Sequence, residues 1–335
     1  MAKVSPSSGA ARAQHRRATA ERGQRLPLDG TGSPAGDARA SWDAVGTDAA
    51  RRVGFDVEAM RHYVLSRMTP EGGYSFYRVP AWGVEEPNAP DTLAALESLR
   101  LLGVRPPEPD GTVRYLRRLQ QHDGGYPSLT IGWAAISALR LLSSRPERSP
   151  DEWIARWAGA MRNAPRRGDA ATSLRDGARL IEIEAARGDG PDPRTRRWAG
   201  ELLDATADRA GGWARPEADL ETTGLALLLA ARAAWEPDAA ALAQFLRRCE
   251  DSNLGLRLRP DAVTTSVGTL WGGLLLADAV HARLRYPDAL ARSLVLLQRR
   301  DGGLGARHLA ISTLQDTWRG LQSAALLDRI TKEGS

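Results

Sequence analysis

The sequence lacks several features that would assign it to a class at once. Cys249 is the only cysteine among 335 residues, so an internal disulfide is excluded and a cytoplasmic location is expected. No uninterrupted apolar run approaches the length of about 18 residues that a bilayer requires, so we expect no transmembrane segment. No segment alternates convincingly between apolar and polar residues, so we expect no β-sheet.

Charge and composition divide the chain at about residue 52. Residues 1–52 hold nine basic and five acidic residues, against 37 and 36 in the remainder. This first segment is rich in Ala, Arg, Gly, Ser and Pro, nearly lacks aliphatic residues, and has no apolar stretch of a secretory signal. We predict a disordered leader over residues 1–52 and a folded domain over residues 53–335. The near-neutral domain argues against a nucleic-acid surface.

Glycine turns recur through the folded part. Gly pairs lie at 72–73, 124–125, 211–212 and 302–303, and Gly168 and Gly255 fill the two gaps. Spacings of 43 to 52 residues are typical of a repeat array. Helical periodicity predicts one helix before each turn, over Val57–Met68, Val113–Gln121, Glu152–Ala164, Arg194–Ala207, Ala239–Glu250 and Ala289–Arg299. It predicts another after each turn, over Thr92–Leu102, Trp133–Leu142, Ser173–Ala186, Thr222–Ala234, Ser266–Val280 and Thr317–Ile330.

This pattern predicts an all-α protein of six helical hairpins. Short connections make the two helices of each hairpin antiparallel, and six hairpins can close into an (α/α)6 toroid with inner and outer helices. An open superhelix has the same sequence period. We expect Thr92, Thr222 and Thr317 near the starts of inner helices.

Residues 297–304, LQRRDGGL, and 119–126, LQQHDGGY, share a Gln-x-x-Asp-Gly-Gly core. They resemble the repeat of prenyltransferases and squalene cyclases. Residues 69–103 resemble a repeat of protein prenyltransferase β subunits. The likeness covers about residues 56–330. It implies an α/α toroid that acts on an isoprenoid or another lipid-like small molecule, with a protein partner as a further possibility.

The resemblance does not extend to the zinc ligands of protein prenyltransferases. The family's Asp and Cys positions correspond to Thr265 and Val267, and its histidine corresponds to Asp316. Thr and Val do not bind zinc as those ligands do. We therefore expect no metal, and no cofactor motif is evident.

The same family holds the diphosphate of its substrate with basic side chains. Arg259 corresponds to one such arginine, and Arg257 and Arg307 lie in equivalent loops. Arginine suits phosphate because its planar fork donates two parallel hydrogen bonds. Asp219 stands where the family has a diphosphate-binding histidine, and a carboxylate there would repel the ligand. Ordinary loop arginines are the alternative interpretation.

The other branch of the family, class II terpene cyclases, protonates an alkene with an Asp-x-Asp-Asp motif. Asp219-Leu220-Glu221-Thr222 is similar to it, with Glu221 at the proton donor and Asp219 as its partner. Such chemistry needs a carboxylic acid that burial and a neighbouring acid keep protonated. An acidic helix N-cap is the alternative interpretation of the same residues.

Carbocation chemistry also favours aromatic rings around a water-poor cavity. Candidate lining residues start the inner helices or follow the glycine turns: Trp133, Trp271, Trp318, Tyr126 and Trp213. Ordinary hydrophobic packing is the alternative interpretation. The sequence has neither a Cys-Gly-Glu-Gln thioester stretch nor an Asp-Asp-x-x-Asp metal motif.

Three functions remain open. The first is an enzyme of proton-initiated isoprenoid cyclisation, with Glu221 as the acid and Asp219 as its partner. The second is a zinc-independent prenyltransferase that holds a prenyl diphosphate with Arg259 and Arg307. The third is a non-catalytic toroid that binds a lipid or a protein. We expect the first, with the third nearly level, because fold alone does not imply chemistry.

Overall fold

The computed structural model describes residues 42, 45–79, 81, 83–163, 169–187, 190–208, 211–214 and 216–333. Within these ranges the chain is about 60% helix, which confirms the all-α prediction. The helices are α1 Val45–Val53, α2 Val57–Ser66, α3 Ala89–Leu101, α4 Pro109–Arg118, α5 Leu129–Leu141, α6 Asp151–Asn163, α7 Ala170–Ala185, α8 Pro193–Thr206, α9 Leu220–Ala233, α10 Ala239–Cys249, α11 Val267–Ala279, α12 Pro287–Leu297 and α13 Leu314–Glu333.

Two short antiparallel pairs were not expected from the sequence. β1 (Glu250–Asp251) pairs with β2 (Gly255–Leu256), and β3 (Leu304–Gly305) pairs with β4 (Ser312–Thr313). Each strand has only two residues, too short to show an alternating pattern. The prediction of no sheet was wrong for these two connections.

The twelve predicted helices are present and fall into two sets. We call the helices after the turns the core helices; they are α3, α5, α7, α9, α11 and α13. We call the helices before the turns the flanking helices; they are α2, α4, α6, α8, α10 and α12. Each core helix packs against the next core helix along the chain, and α13 packs against α3. Core helices are buried on most sides; in α11 every residue from Val267 to Asp278 is buried.

The glycine turns have a packing reason. At the last turn Gly302 has φ +93°, and a Cβ on it would collide with the Ala59 carbonyl oxygen of α2. A Cβ on Gly303 would lie 2.7 Å from the Tyr63 ring. The first turn makes the same approach to the next flanking helix, where a Cβ on Gly73 would lie 2.6 Å from the Tyr115 ring. Only glycine allows these close approaches and the left-handed backbone.

The glutamine of each Gln-x-x-Asp-Gly-Gly segment clamps the residues that lead into the next flanking helix. Gln120 Oε1 accepts from the Arg148 backbone N–H at 2.9 Å, and its Nε2 donates to the carbonyl oxygens of Arg148 at 2.8 Å and Gly124 at 2.7 Å. Gln298 makes the matching bonds to Asp56, at 2.9 Å for both, and to Gly302 at 3.1 Å. The last repeat therefore contacts the first through the contact that joins consecutive repeats.

Threonine hydroxyls tie the turns to the core helices. Thr92 Oγ1 accepts the backbone N–H of Tyr74, and Thr317 Oγ1 accepts that of Leu304, both at 3.0 Å. Both residues lie near helix starts, as predicted. Thr222 also lies near the start of α9, but the matching contact is made by Thr223, which accepts the Trp213 N–H at 3.0 Å.

The predicted leader contains a structured segment. Residues 45–52, assigned from composition to the disordered leader, belong to α1, whose Thr47, Ala49 and Ala50 are buried. Helix α1 packs against α13 and α3, and Arg52 forms a two-pronged ion pair with Asp328 at 2.5 and 2.8 Å. Alanine buries area without long aliphatic side chains, so composition concealed this helix. Residues 1–41, 43 and 44 lie outside the described residues.

No helix within the described ranges is long and apolar enough to cross a membrane. The remaining turn glycine, Gly168, also lies outside those ranges.

Candidate functional site

Side chains at the starts of α9, α11 and α13 form the first candidate site. Asp219 is the N-cap of α9 and accepts the backbone N–H and the hydroxyl of Thr222, both at 2.8 Å. Burial raises the pKa of the Asp219 carboxyl; the Thr222 hydrogen bonds oppose this shift, and the nearby Glu221 charge adds to it. The first predicted site residue is thus a helix cap whose carboxyl pKa is raised by burial.

Glu221 links two core helices across a third. Its Oε1 accepts from Arg319 Nη1 of α13 at 3.0 Å, and the two side chains are 34% and 25% exposed. The carboxylate lies against Gly268 of α11, where an added Cβ would be 2.6 Å from the Glu221 Cδ. Glycine at 268 therefore provides the space in which the ion pair forms.

Arg319 is held from a second side by an aromatic ring. Its guanidinium carbon lies 5.0 Å from the ring centroid of Trp271, which is 5% exposed. A guanidinium over an indole face is attracted by the ring quadrupole. The face of the Trp271 ring on this side is therefore covered by the Arg319 guanidinium.

A third carboxyl group lies nearby on α13. Asp316 and Thr313 cap each other: the Asp316 N–H donates to Thr313 Oγ1 at 3.0 Å, and the Thr313 hydroxyl donates to Asp316 Oδ2 at 2.8 Å. Burial raises the pKa of Asp316; Thr313 and Arg319 oppose the shift, and Glu221 adds to it. The position matched to a zinc-binding histidine is therefore occupied by a half-buried carboxyl group.

The environment of Glu221 differs from the one expected of a proton donor. We expected a side chain shielded from water beside Asp219. Glu221 is instead one-third exposed and engaged in an ion pair with Arg319, which needs an ionised carboxylate. The acids with raised pKa are its neighbours Asp219 and Asp316.

A second polar cluster, which the sequence reasoning missed, joins α5, α7 and α9. Glu182 Oε2 accepts from the indole N–H of Trp133 at 2.8 Å and lies 3.1 Å from Arg232 Nη2. Arg179 lies over the Trp133 ring at 4.9 Å and donates to Thr130 Oγ1 at 2.7 Å. Burial is the main cause that lowers the pKa of Arg179. Several charged residues on a predicted inner helix, α7, were the signal that could have found this cluster.

The other predicted lining residues differ in what they contact. The Trp213 indole N–H donates to the Leu203 carbonyl of flanking helix α8 at 3.0 Å, and its ring packs on Trp235. Tyr126 packs edge-on against Trp153 of flanking helix α6, with ring centroids 5.6 Å apart. Both side chains thus join a glycine turn to a flanking helix, whereas a cavity lining was expected. Trp318 is half-buried against the core cluster that contains Leu314.

The predicted diphosphate arginines lie in the loops before α11 and α13. Arg257 is 3.7 Å from Asp251, and Arg259 is 3.4 Å from Asp261 and 3.6 Å from Glu217. Arg307 is exposed in the β3–β4 connection. Carboxylates of the same region thus compete with any phosphate for Arg257 and Arg259.

Within the described ranges, no group of three or more His, Cys, Asp or Glu side chains could hold a metal ion. Val267 begins α11, immediately after the N-cap Ser266. Cys249 is buried at the end of α10, and burial raises the pKa of its thiol to about 12. A thiol in that state is a poor nucleophile at neutral pH.

A scan of the chain against protein-family models and a search of curated proteins each find no match. The resemblance to prenyltransferases and squalene cyclases therefore depends on the quoted segments and repeat count alone.

Proposed function

We propose that the core and flanking helices form a closed (α/α)6 toroid that binds an isoprenoid or another lipid-like small molecule. The packing of α13 on α3 supports closure, as does the Gln298 clamp on Asp56, which repeats the Gln120 clamp on Arg148. In an open array, the last glutamine would have no next repeat to contact.

The activity that the site supports best is proton-initiated cyclisation. One observation carries this proposal: Asp219 and Asp316, at the starts of α9 and α13, both have raised pKa values near Trp271. The negative charge of Glu221 contributes to both shifts. A protonated carboxyl group can give its proton to an alkene, whose π electrons form the new C–H bond and leave a carbocation. The remaining carboxylate then takes back a proton when a product alkene forms.

In this proposal the roles change from those expected from the sequence. Asp316 is the preferred proton donor, because Asp219 accepts two hydrogen bonds from Thr222 that favour its ionised form. Glu221 is a positioning residue that holds Arg319 and adds negative charge beside Asp316. That charge both favours protonated Asp316 and stabilises a nearby cation.

A non-catalytic toroid that binds a lipid or a protein partner is the second candidate. Two observations favour it. Asp219 and Asp316 both make ordinary helix-capping contacts, and Arg179 and Arg319 cover one ring face each of Trp133 and Trp271. Zinc-independent prenyl transfer has less support, because Arg257 and Arg259 are engaged with local carboxylates.

The test is incubation of the purified chain with prenyl diphosphates and with squalene in the presence of EDTA, followed by mass spectrometry. We expect a cyclised product that Asp316→Asn reduces by about 10² to 10⁴-fold. Asparagine still accepts the Thr313 hydroxyl, so the fold is retained. Asp261→Asn, at an exposed loop carboxylate, is the matched control and should leave product formation unchanged.

Quenching of tryptophan fluorescence measures ligand binding separately. Binding without product from the wild-type chain would reject cyclisation and support the second candidate. Full activity in Asp316→Asn with no activity in Asp219→Asn would move the proton donor to Asp219.

A further inference from the structure

An exposed apolar surface lies beside the starts of α11 and α13. Of six large hydrophobic side chains exposed in the described part of the chain, four lie here, although neither cluster described above uses them. We call them the apolar ridge: Val263, Leu296, Leu309 and Ile311, with exposures of 85%, 60%, 72% and 70%. A soluble surface carries single exposed aliphatic residues, but a concentration of them marks an interaction site.

Hydrogen bonds hold the segments of the ridge beside one another. The Val267 N–H, just after the loop of Val263, donates to the Ala306 carbonyl at 3.0 Å. His308 Nδ1 lies 3.3 Å from the Leu296 carbonyl oxygen. β3 and β4 close the connection that holds Leu309 and Ile311. The four side chains therefore belong to neighbouring segments.

The backbone at Leu309 is unusual for its residue type. Leu309 has φ +68°, in the left-handed region where a Cβ is disfavoured and where glycine is the common choice. A leucine that is 72% exposed gains little from packing within the chain. The exposure and the backbone conformation together indicate that the Leu309 side chain serves a contact outside the folded chain.

Basic residues outnumber acidic ones in the segment that holds Leu296, Leu309 and Ile311. Residues 296–311 contain Arg299, Arg300 and Arg307 against a single acidic residue, Asp301. Arg300 and Arg307 are exposed. Aliphatic side chains that enter the acyl region, with arginines at the level of the headgroups, are the composition of an interfacial membrane contact. Protein interfaces concentrate Trp, Tyr and Arg in their energetic centres and use Leu and Val less.

We propose that the apolar ridge is a membrane-contact surface, which inserts Leu309 and Ile311 into one leaflet of an anionic bilayer while Arg300 and Arg307 contact lipid phosphates. The contact is reversible and interfacial, and it does not depend on any reaction at Asp316 or Asp219.

The test is co-sedimentation of the full chain with vesicles of phosphatidylcholine alone and with 30% phosphatidylglycerol (roughly the charge of an anionic leaflet). We expect binding to the anionic vesicles that falls with salt. Leu309→Glu combined with Ile311→Glu should reduce the partition coefficient by more than about tenfold. Arg300→Gln and Arg307→Gln should each reduce it by about fivefold on anionic vesicles only. Tyr286→Glu, at an exposed residue outside the ridge, is the matched control and should bind as the wild type does.

Leu309→Gly separates a lipid role from a structural one. It removes both the side chain and the backbone strain, so we expect weaker vesicle binding with an unchanged or higher melting temperature. Absence of wild-type binding to anionic vesicles would overturn the proposal, as would wild-type affinity in the double variant. A wild-type dimer that the double variant converts to a monomer, without vesicle binding, would reassign the ridge to self-association.

Discussion

The contact between Gln298 and Asp56 provides the sharpest test of ring closure. Gln298→Ala removes three hydrogen bonds: one accepted from the Asp56 N–H and two donated, to the carbonyl oxygens of Asp56 and Gly302. A hydrogen bond contributes about 0.5–1.5 kcal/mol net, and water can reach this exposed site, so the lower half of that range applies. We expect a loss of about 1.5–3 kcal/mol in the free energy of unfolding.

Gln120→Ala is the internal reference for this measurement. Gln120 makes the same three bonds, to Arg148 and Gly124, between two consecutive repeats in the middle of the chain. Gln121→Ala, at the exposed neighbouring position, controls for the loss of a surface glutamine and should change stability by less than about 0.5 kcal/mol.

The assay is equilibrium unfolding in urea, monitored by tryptophan fluorescence. The wild type and the three variants are measured together. A closed ring predicts similar losses for Gln298→Ala and Gln120→Ala, because both variants weaken a junction between neighbouring repeats. If Gln298→Ala matches the Gln121→Ala control while Gln120→Ala is destabilised, the last and first repeats are not joined in solution. That result would refute ring closure.

Three further predictions concern the packing of the helices and the buried ionisable groups. Gly272→Ala should lower the free energy of unfolding in urea by more than about 2 kcal/mol, because the new Cβ would collide with the Leu220 carbonyl. Gly159→Ala in α6 is the control: its Cβ would enter open space, so the free energy of unfolding should rise by up to about 1 kcal/mol. Ala50→Asp should lower the free energy of unfolding by about 2–4 kcal/mol, because it places a charge on the buried side of α1. Arg51→Asp, on the exposed side of α1, should change the melting temperature little. Equal stability of both variants would contradict the packing of α1 against the domain. Four tyrosines have raised pKa values because they are buried, so above pH 10 the unfolded chain loses phenol protons first, and stability should fall by about 1.4 kcal/mol per tyrosine per pH unit. In a Tyr77→Phe, Tyr286→Phe background the tyrosinate absorbance then reports only these four, Tyr63, Tyr74, Tyr115 and Tyr126, and should appear together with unfolding; a gradual appearance in the folded protein would contradict their burial.

Part of the candidate site was readable from the sequence. Asp219 and Glu221 were singled out as neighbouring acids at a helix start, and they do begin α9. Their partners come from distant positions: Arg319 lies 98 residues from Glu221, and Gly268 leaves room for the carboxylate only because α11 packs against α9. Local spacing carries no information about such contacts, so the ion pair and the exposure of Glu221 were not predictable.

Local signals in the sequence were enough to predict the twelve helices and their order. Glycine turns, N-capping residues and apolar periodicity are local signals, and each acts within a few residues of the helix that it defines. These signals did not predict α1, because small alanine side chains become a buried face only when α13 and α3 are in place. Tertiary structure also decided which partners each aromatic side chain contacts. Trp271, within α11, packs under Arg319, while Trp213, which follows a glycine turn, donates to the Leu203 carbonyl of flanking helix α8. Helix formation is fixed by near neighbours in the chain, whereas ion pairs and ring contacts are fixed by the packing of helices that lie far apart in sequence.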